Sequence, residues 1–217
     1  MHKVVRIHMQ ARGIKRREQL KAATRELLIE MDISAITFAD IALRANVPKS
    51  SAYHFYANID EIYAEVAASY GTELLNILSV LPDYDDVEHW QDIVDILIDR
   101  SIVFYKCETA ARQLIISGKT SAAIKQKDRN NDLILSEKIY HILDSFFELP
   151  QINNRSDIFH IWVEIVDVIF TLSQMKYGFI TTSMANEAKR AAKAYLGTYL
   201  TASLVKKPNV IPSIVLS

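Results

Sequence analysis

The segment Lys49-Ser50-Ser51-Ala52-Tyr53-His54 carries an ammonium, hydroxyls and an imidazole in close succession. Such donors suit nucleic acid. Lysine can donate to guanine O6 and N7, and serine is a less selective donor. Hydroxyls and N–H groups at a helix start suit phosphate oxygens. A basic arm running from Arg6 through Arg12, Lys15 and Arg16 to Arg17 could follow the phosphate backbone or enter the minor groove. Either placement would make binding sensitive to salt. Other chemistry is hard to assemble from this sequence. The six histidines (His2, His8, His54, His89, His141 and His160) are scattered and form no ligand pair. There is no His-Glu-x-x-His, no Cys-x-x-Cys, no phosphate-binding glycine loop and no nucleophile elbow. We therefore expect no catalytic residue, no metal and no cofactor. Cys107 is the one cysteine, which forbids an intrachain disulfide and fits a reducing compartment.

The distribution of charge points the same way. Residues 1–58 hold ten Lys/Arg against five Asp/Glu, a surplus of five. The whole chain of 217 residues has a formal charge of −1, so the remainder carries −6. A small basic head on an acidic body suits a DNA-binding domain joined to something else. The first residues are basic but hold no apolar signal segment, and no uninterrupted apolar run approaches the ~18 residues of a membrane span. The expectation is a cytoplasmic protein without a membrane partner.

Helices must position these groups. Half of the residues are hydrophobic, glycine and proline number five each, and helical periodicity dominates, so the predicted class is all-α with about nine helices. The first helix is read over 14–31, with Leu20, Ala23, Leu27 and Met31 on one stripe and Asp32 ending it in the left-handed region. Thr37 caps a second helix that ends near Ala45, with Asp40 as a capping-box acid. Asn46 makes a sharp turn, and Pro48 opens a short third helix reaching Phe55 or Tyr56. Asn58 and Glu61 cap a fourth helix that ends near Leu81. Further helices are read over 87–105, 108–117, 121–147, 156–178 and 183–204, followed by a frayed tail from Val205. Two short helices joined by about three residues make a helix-turn-helix, whose second helix lies in the major groove with its first residues at base edges. Lys49, Ser50 and Tyr53 are the candidates for that contact.

The stretch ITFADIALRANVPKSSAYHFYANIDEIYAEV, residues 36–66, resembles the TetR-family signature, and the opening helix from Arg16 and the segment EAKRAAKAYLGTYL near the end are also similar to that family's. The resemblance implies a homodimeric transcriptional regulator, expected to be a repressor, that binds a palindromic double-stranded DNA operator and is released by a small-molecule effector. It implies that Thr37, Ser51, Tyr53 and His54 contact phosphate, with Arg16 and Arg17 on the basic arm. It divides the chain into a three-helix DNA-binding domain (1–58) and a helical effector-binding and dimerisation domain (59–217). The family usually has glycine where this chain has Asp32 and Asn46, and glycine is also common at Ser50. It has a lysine where this chain has Ile59, and isoleucine cannot make that phosphate contact. A helical adaptor with a vestigial helix-turn-helix is the alternative, and Ile59 is the feature in its favour.

The body offers fainter signals. Residues 158–175 are apolar nearly all round, and Ala188, Ala192, Tyr195, Tyr199 and Ala202 give the last helix a face of small residues that a partner helix could approach. His160, Glu164, Asp167, Thr171 and Gln174 form a polar stripe. It is either a sensor wall for a cationic or polar effector, or a solvent-facing or inter-subunit stripe. Trp90, Phe104, His141, Trp162, Glu164 and Asp167 are the candidate effector contacts.

Overall fold

The structure, a computed structural model, describes residues 2–119 and 122–209, with side-chain surroundings for 12–119, 124 and 131–209. The Arg6 side chain, the helix start read at Ser121 and the last eight residues of the expected tail lie outside the described residues. The described residues form nine α-helices and no strand. They are α1 (His2–Glu30), α2 (Phe38–Arg44), α3 (Lys49–Ala52), α4 (Ile59–Leu78), α5 (Trp90–Cys107), α6 (Thr109–Ile115), α7 (Ala122–Phe146), α8 (Arg155–Tyr177) and α9 (Thr182–Leu196). Short 3-10 turns occupy Ile33–Ala35 and Tyr84–Asp86. The all-α expectation therefore holds. Several ends differ: α1 starts at His2, well before residue 14, and α9 stops at Leu196.

Two compact units are present: residues up to 73 with 105–131, and 74–104 with 132 onward. In the first, Leu20, Ala23, Leu27 and Leu28 of α1 are buried at helical spacing, while Met31, expected on that stripe, is exposed. The buried Thr24 hydroxyl donates to Leu20 O at 2.8 Å, so it leaves no unpaired polar group. Asp32 does not take the left-handed conformation expected of it. Its φ is −67°, and it caps the following 3-10 turn by accepting from Ser34 N at 2.9 Å. The end of α1 is held instead from α6. Gln113 Nε2 donates to Leu28 O and Met31 O at 2.5 and 2.8 Å, and its Oε1 accepts from Ile33 N at 2.7 Å. One amide thus serves two carbonyls at the helix end and the N–H of Ile33 beyond it. Lys119 pairs with Asp32 at 2.7 Å. The hydrogen bonds from Lys119 and Ser34 hold the Asp32 carboxyl far below the usual carboxylate range.

In the second unit, α8 and α9 form an antiparallel pair. Ala185, Ala188, Ala192 and Leu196 are buried, and Trp162 Nε1 donates to Ala192 O at 3.1 Å. Of the face read as open to a partner, Ala188 and Ala192 are therefore used within the chain, because small side chains let α8 approach closely, while Tyr199 and Ala202 are exposed. Gly178 closes α8 at φ +80°, a conformation that favours glycine. Ser173 Oγ donates to Phe179 O and accepts from Thr181 N across the turn. Asp95 and Asp99 of α5 pair with Lys193 and Lys189 of α9, each at 2.6 Å. The tail is not frayed at Val205. Val205 O accepts from Glu148 N at 2.9 Å, Lys207 N donates to Phe146 O at 2.7 Å, and Tyr84 donates to Lys207 O. By length and composition α8 is apolar enough to cross a membrane. Counting uninterrupted apolar runs missed this, because Glu164 and Asp167 break the run. Its buried side chains, Trp162 and Phe170 among them, make it a core helix of this unit.

Candidate nucleic-acid interface

Local chemistry builds the helix-turn-helix. Thr37 Oγ1 accepts from Asp40 N at 3.2 Å, and Asp40 Oδ2 accepts from Thr37 N at 2.9 Å, a complete capping box. The Thr37 hydroxyl and amide together hold the Asp40 carboxyl below its usual range. α2 ends at Arg44. Asn46 takes φ +51°, as its side-chain type allowed, and Val47 N donates back to Ala42 O at 3.0 Å. Pro48 is the N-cap of α3, one place earlier than expected. α3 is also shorter than expected: it closes at Ala52, and Phe55 N then bonds three residues back to Ala52 O. Asn58 Oδ1 accepts from Glu61 N at 3.0 Å, and Glu61 Oε2 reaches Ala57 N at 2.8 Å, which starts α4.

Most of the expected DNA contacts are presented outward. Thr37, Lys49, Ser50, Tyr53 and His54 are exposed, and Ser51 is half-buried. Arg16 Nη1 donates to Ser51 Oγ at 3.0 Å, which joins the basic arm to α3. Tyr53 lies against Phe38, with ring centroids 4.4 Å apart and planes 16° from parallel. Ile59 is half-buried at the start of α4.

Arg17 has a different environment. Its Nη2 donates to Glu65 Oε2 at 3.0 Å, and its guanidinium carbon lies 5.0 Å from the Tyr56 ring centre. Tyr56 is buried, as expected of a core aromatic, and donates to the same Glu65 oxygen at 2.7 Å. Lys21 adds a second cation 3.6 Å from Glu65. Burial alone would raise the Glu65 carboxyl, but the hydrogen bonds from Tyr56 and Arg17 and the two cations outweigh it and lower it. Burial, and then the Glu65 carboxylate, push the Tyr56 phenol up to about 12. Arg17 thus ties α1 to α4 within the chain. Sequence reading missed Glu65 and Phe38. Glu65 is one of many surface acids in sequence, and Phe38 reads as ordinary core.

The six candidate effector contacts have different surroundings. Trp90 is buried with its indole N–H given to Thr201 O at 3.0 Å, and Trp162 is buried with its N–H given to Ala192 O. Phe104 is buried. His141 is exposed and sits edge-on to Tyr140, with centroids 5.5 Å apart. Glu164 and Asp167 are half-buried on another face of α8, where His160 Nε2 lies 3.7 Å from Glu164.

Comparison with known proteins places this geometry. Residues 20–66 match the model for bacterial regulatory proteins of the tetR family, and residues 88–200 match the tetracyclin repressor-like C-terminal domain. A comparison with curated protein sequences returns no match. Among solved structures, a TetR-family transcriptional regulator from Streptomyces coelicolor superposes with a TM-score of 0.64 at 20% identity, over 85% of this chain and 99% of that one. A TetR transcriptional regulator from Rhodococcus sp. RHA1 gives 0.64 at 14% identity, over 85% and 97%. SmeT, the repressor of the Stenotrophomonas maltophilia multidrug efflux pump SmeDEF, gives 0.58 at 16% identity, over 85% and 90%. The two family models match well over half of the residues: the chain belongs to the TetR family of transcriptional regulators, with a helix-turn-helix head and a tetracyclin repressor-like C-terminal domain.

Proposed function

We propose that this protein is a ligand-responsive repressor that binds a palindromic operator as a homodimer. The observation that carries the reading is α3 with the turn after it, which present Lys49, Ser50, Tyr53 and His54 outward from a helix-turn-helix whose first helix, α2, has a complete capping box. Lys49 and Ser50 read base edges. Thr37, Ser51, Tyr53, His54 and Arg16 bind phosphate. Arg17 contributes positive charge to the same surface while bound to Glu65. Residues 1–58 form the DNA-reading part and 59–217 the dimerising and sensing part. A second copy reads the other half-site, about one helical turn (~34 Å) away.

The face of α8 turned away from α9 supports pairing. Ile161, Ile165, Val168, Leu172 and Met175 recur at alternating intervals of four and three residues, and all but Ile165 are exposed, by 46% to 64%. An uncovered apolar seam with coiled-coil spacing on a helix this long is suited to a copy of itself. The effector contacts stay with Trp90, Phe104, His141, Trp162, Glu164 and Asp167, of which the two half-buried carboxylates suit a cation. The protein acts in the cytoplasm, where its operator is. An effector can release DNA only through its differential affinity for the bound and free states, typically about 1–3 kcal/mol of coupling.

Duplexes selected from genomic DNA should shift in a gel as complexes of a protein dimer, at concentrations where sedimentation shows dimers. Any effector found should bind more weakly when operator is present, by the factor with which it weakens operator binding. Monomers at micromolar concentration would oppose the dimer, and failure to retain any duplex would oppose the DNA reading.

A further inference from the structure

Tyr53, the C-cap of α3, has 48% of its surface exposed, yet one face of its ring rests on Phe38. The 4.4 Å centroid spacing and 16° interplanar angle describe a parallel stack. Phe38 is buried and is the first residue of α2, directly after Thr37. The capping box fixes the backbone there, so the ring beneath Tyr53 has a rigid mounting. Within α3, Ser51 is held by Arg16. The Tyr53 ring is thus both exposed to a ligand and restricted in the directions its phenol can take.

We propose that Phe38 is a positioning residue for DNA binding: its ring holds the Tyr53 phenol in the orientation that meets a phosphate. The proposal rests on the reading of Tyr53 as a phosphate contact. An exposed tyrosine free to rotate must be ordered when DNA arrives, a cost of about three- to ten-fold in affinity for each bound head. The stack removes most of that cost before the encounter. Leucine at residue 38 would fill apolar space in α2 but give no flat support, whereas tyrosine there would keep the stack.

The test is a double-mutant cycle with the full-length protein and a fluorescent duplex of mixed sequence, at low salt, read by anisotropy. Tyr53→Phe should weaken binding by removing the hydroxyl. Phe38→Leu should weaken it about three- to ten-fold per head, and Phe38→Tyr should bind as wild type. Phe38→Leu combined with Tyr53→Phe should be no weaker than Tyr53→Phe alone, because a misplaced hydroxyl that is absent costs nothing more. Melting temperatures of the free variants separate loss of fold from loss of orientation, and Phe38→Met substitutes if the leucine variant does not fold. Wild-type affinity in Phe38→Leu, or a loss that adds in full to that of Tyr53→Phe, overturns the proposal while leaving the DNA reading intact. An undiminished affinity in Tyr53→Phe, or no binding by the wild type, overturns the reading on which it rests.

Discussion

Replacing Gln113 by alanine removes three hydrogen bonds from the end of α1 in one step: those to Leu28 O and Met31 O, and that from Ile33 N. The three are not equal. Met31 is exposed, and its carbonyl can turn to water at little cost. Ile33 is buried, so an N–H left there without an acceptor carries a desolvation cost of about 1–3 kcal/mol. Leu28 is fully buried, and its carbonyl adds about a further 1 kcal/mol. The expected total is about 2–4 kcal/mol, or a fall in Tm of roughly 4–16 °C for a chain of this size. Lys119→Ala is the control at the same junction. Its ion pair with Asp32 is about half exposed on both sides, so its loss should cost under about 0.5 kcal/mol. Urea unfolding at neutral pH measures both. Hydrogen exchange at the Ile33 amide reports the local event, which matters because a chain of two compact units need not unfold in one transition. A Gln113→Ala loss below about 0.5 kcal/mol, with Ile33 exchanging at the wild-type rate, would refute the claim that α6 holds the end of α1.

Glu65→Gln should lower the melting temperature at neutral pH. The folded carboxyl is depressed, so its contribution is complete above the ordinary value of 4.5 and is lost as pH falls through the folded value. The gap between wild type and variant in melts across pH should therefore close in acid, and a pH-independent gap would count against the network. Asn46→Ala should cost about 1 kcal/mol for a side chain forced to positive φ, while Asn46→Gly stays near wild type in denaturant titrations. Leu172→Glu places a charge in the exposed α8 seam and should yield monomers in sedimentation, with a circular dichroism spectrum like that of wild type. Lys49→Ala should relax preference at one base position, at about 1–3 kcal/mol on the best site. Arg16→Ala should weaken all duplexes alike and reduce the salt slope by about one unit, and similar effects of both on specificity would contradict that division.

Features that depend on neighbours along the chain are legible in residue order. Thr37 and Asp40 lie three apart, so their capping box follows once a helix begins between them. Asn46 must turn the chain before Pro48 can start a helix, and its side chain is one of the few that enters positive φ. Burial of Leu20, Ala23 and Leu27 follows from helical spacing alone. Features that depend on partners far away in sequence emerge with folding. Asp32 looked like a left-handed helix end, but Gln113, about eighty residues on, closes that end, leaving Asp32 free to cap the next turn. Arg17 looked like another member of the basic arm until α4 set Glu65 beside it. The alanines of α9 announced a close approach but not with which helix; Trp162 of the same chain occupies it, and the uncovered seam falls to α8. The tail after Leu200 has no periodicity to read, and backbone bonds to Phe146 and Glu148 hold it. Caps and turns act over three or four residues and are written in local order. Burial, ion pairs and helix docking act through space, and only folding brings their partners within reach.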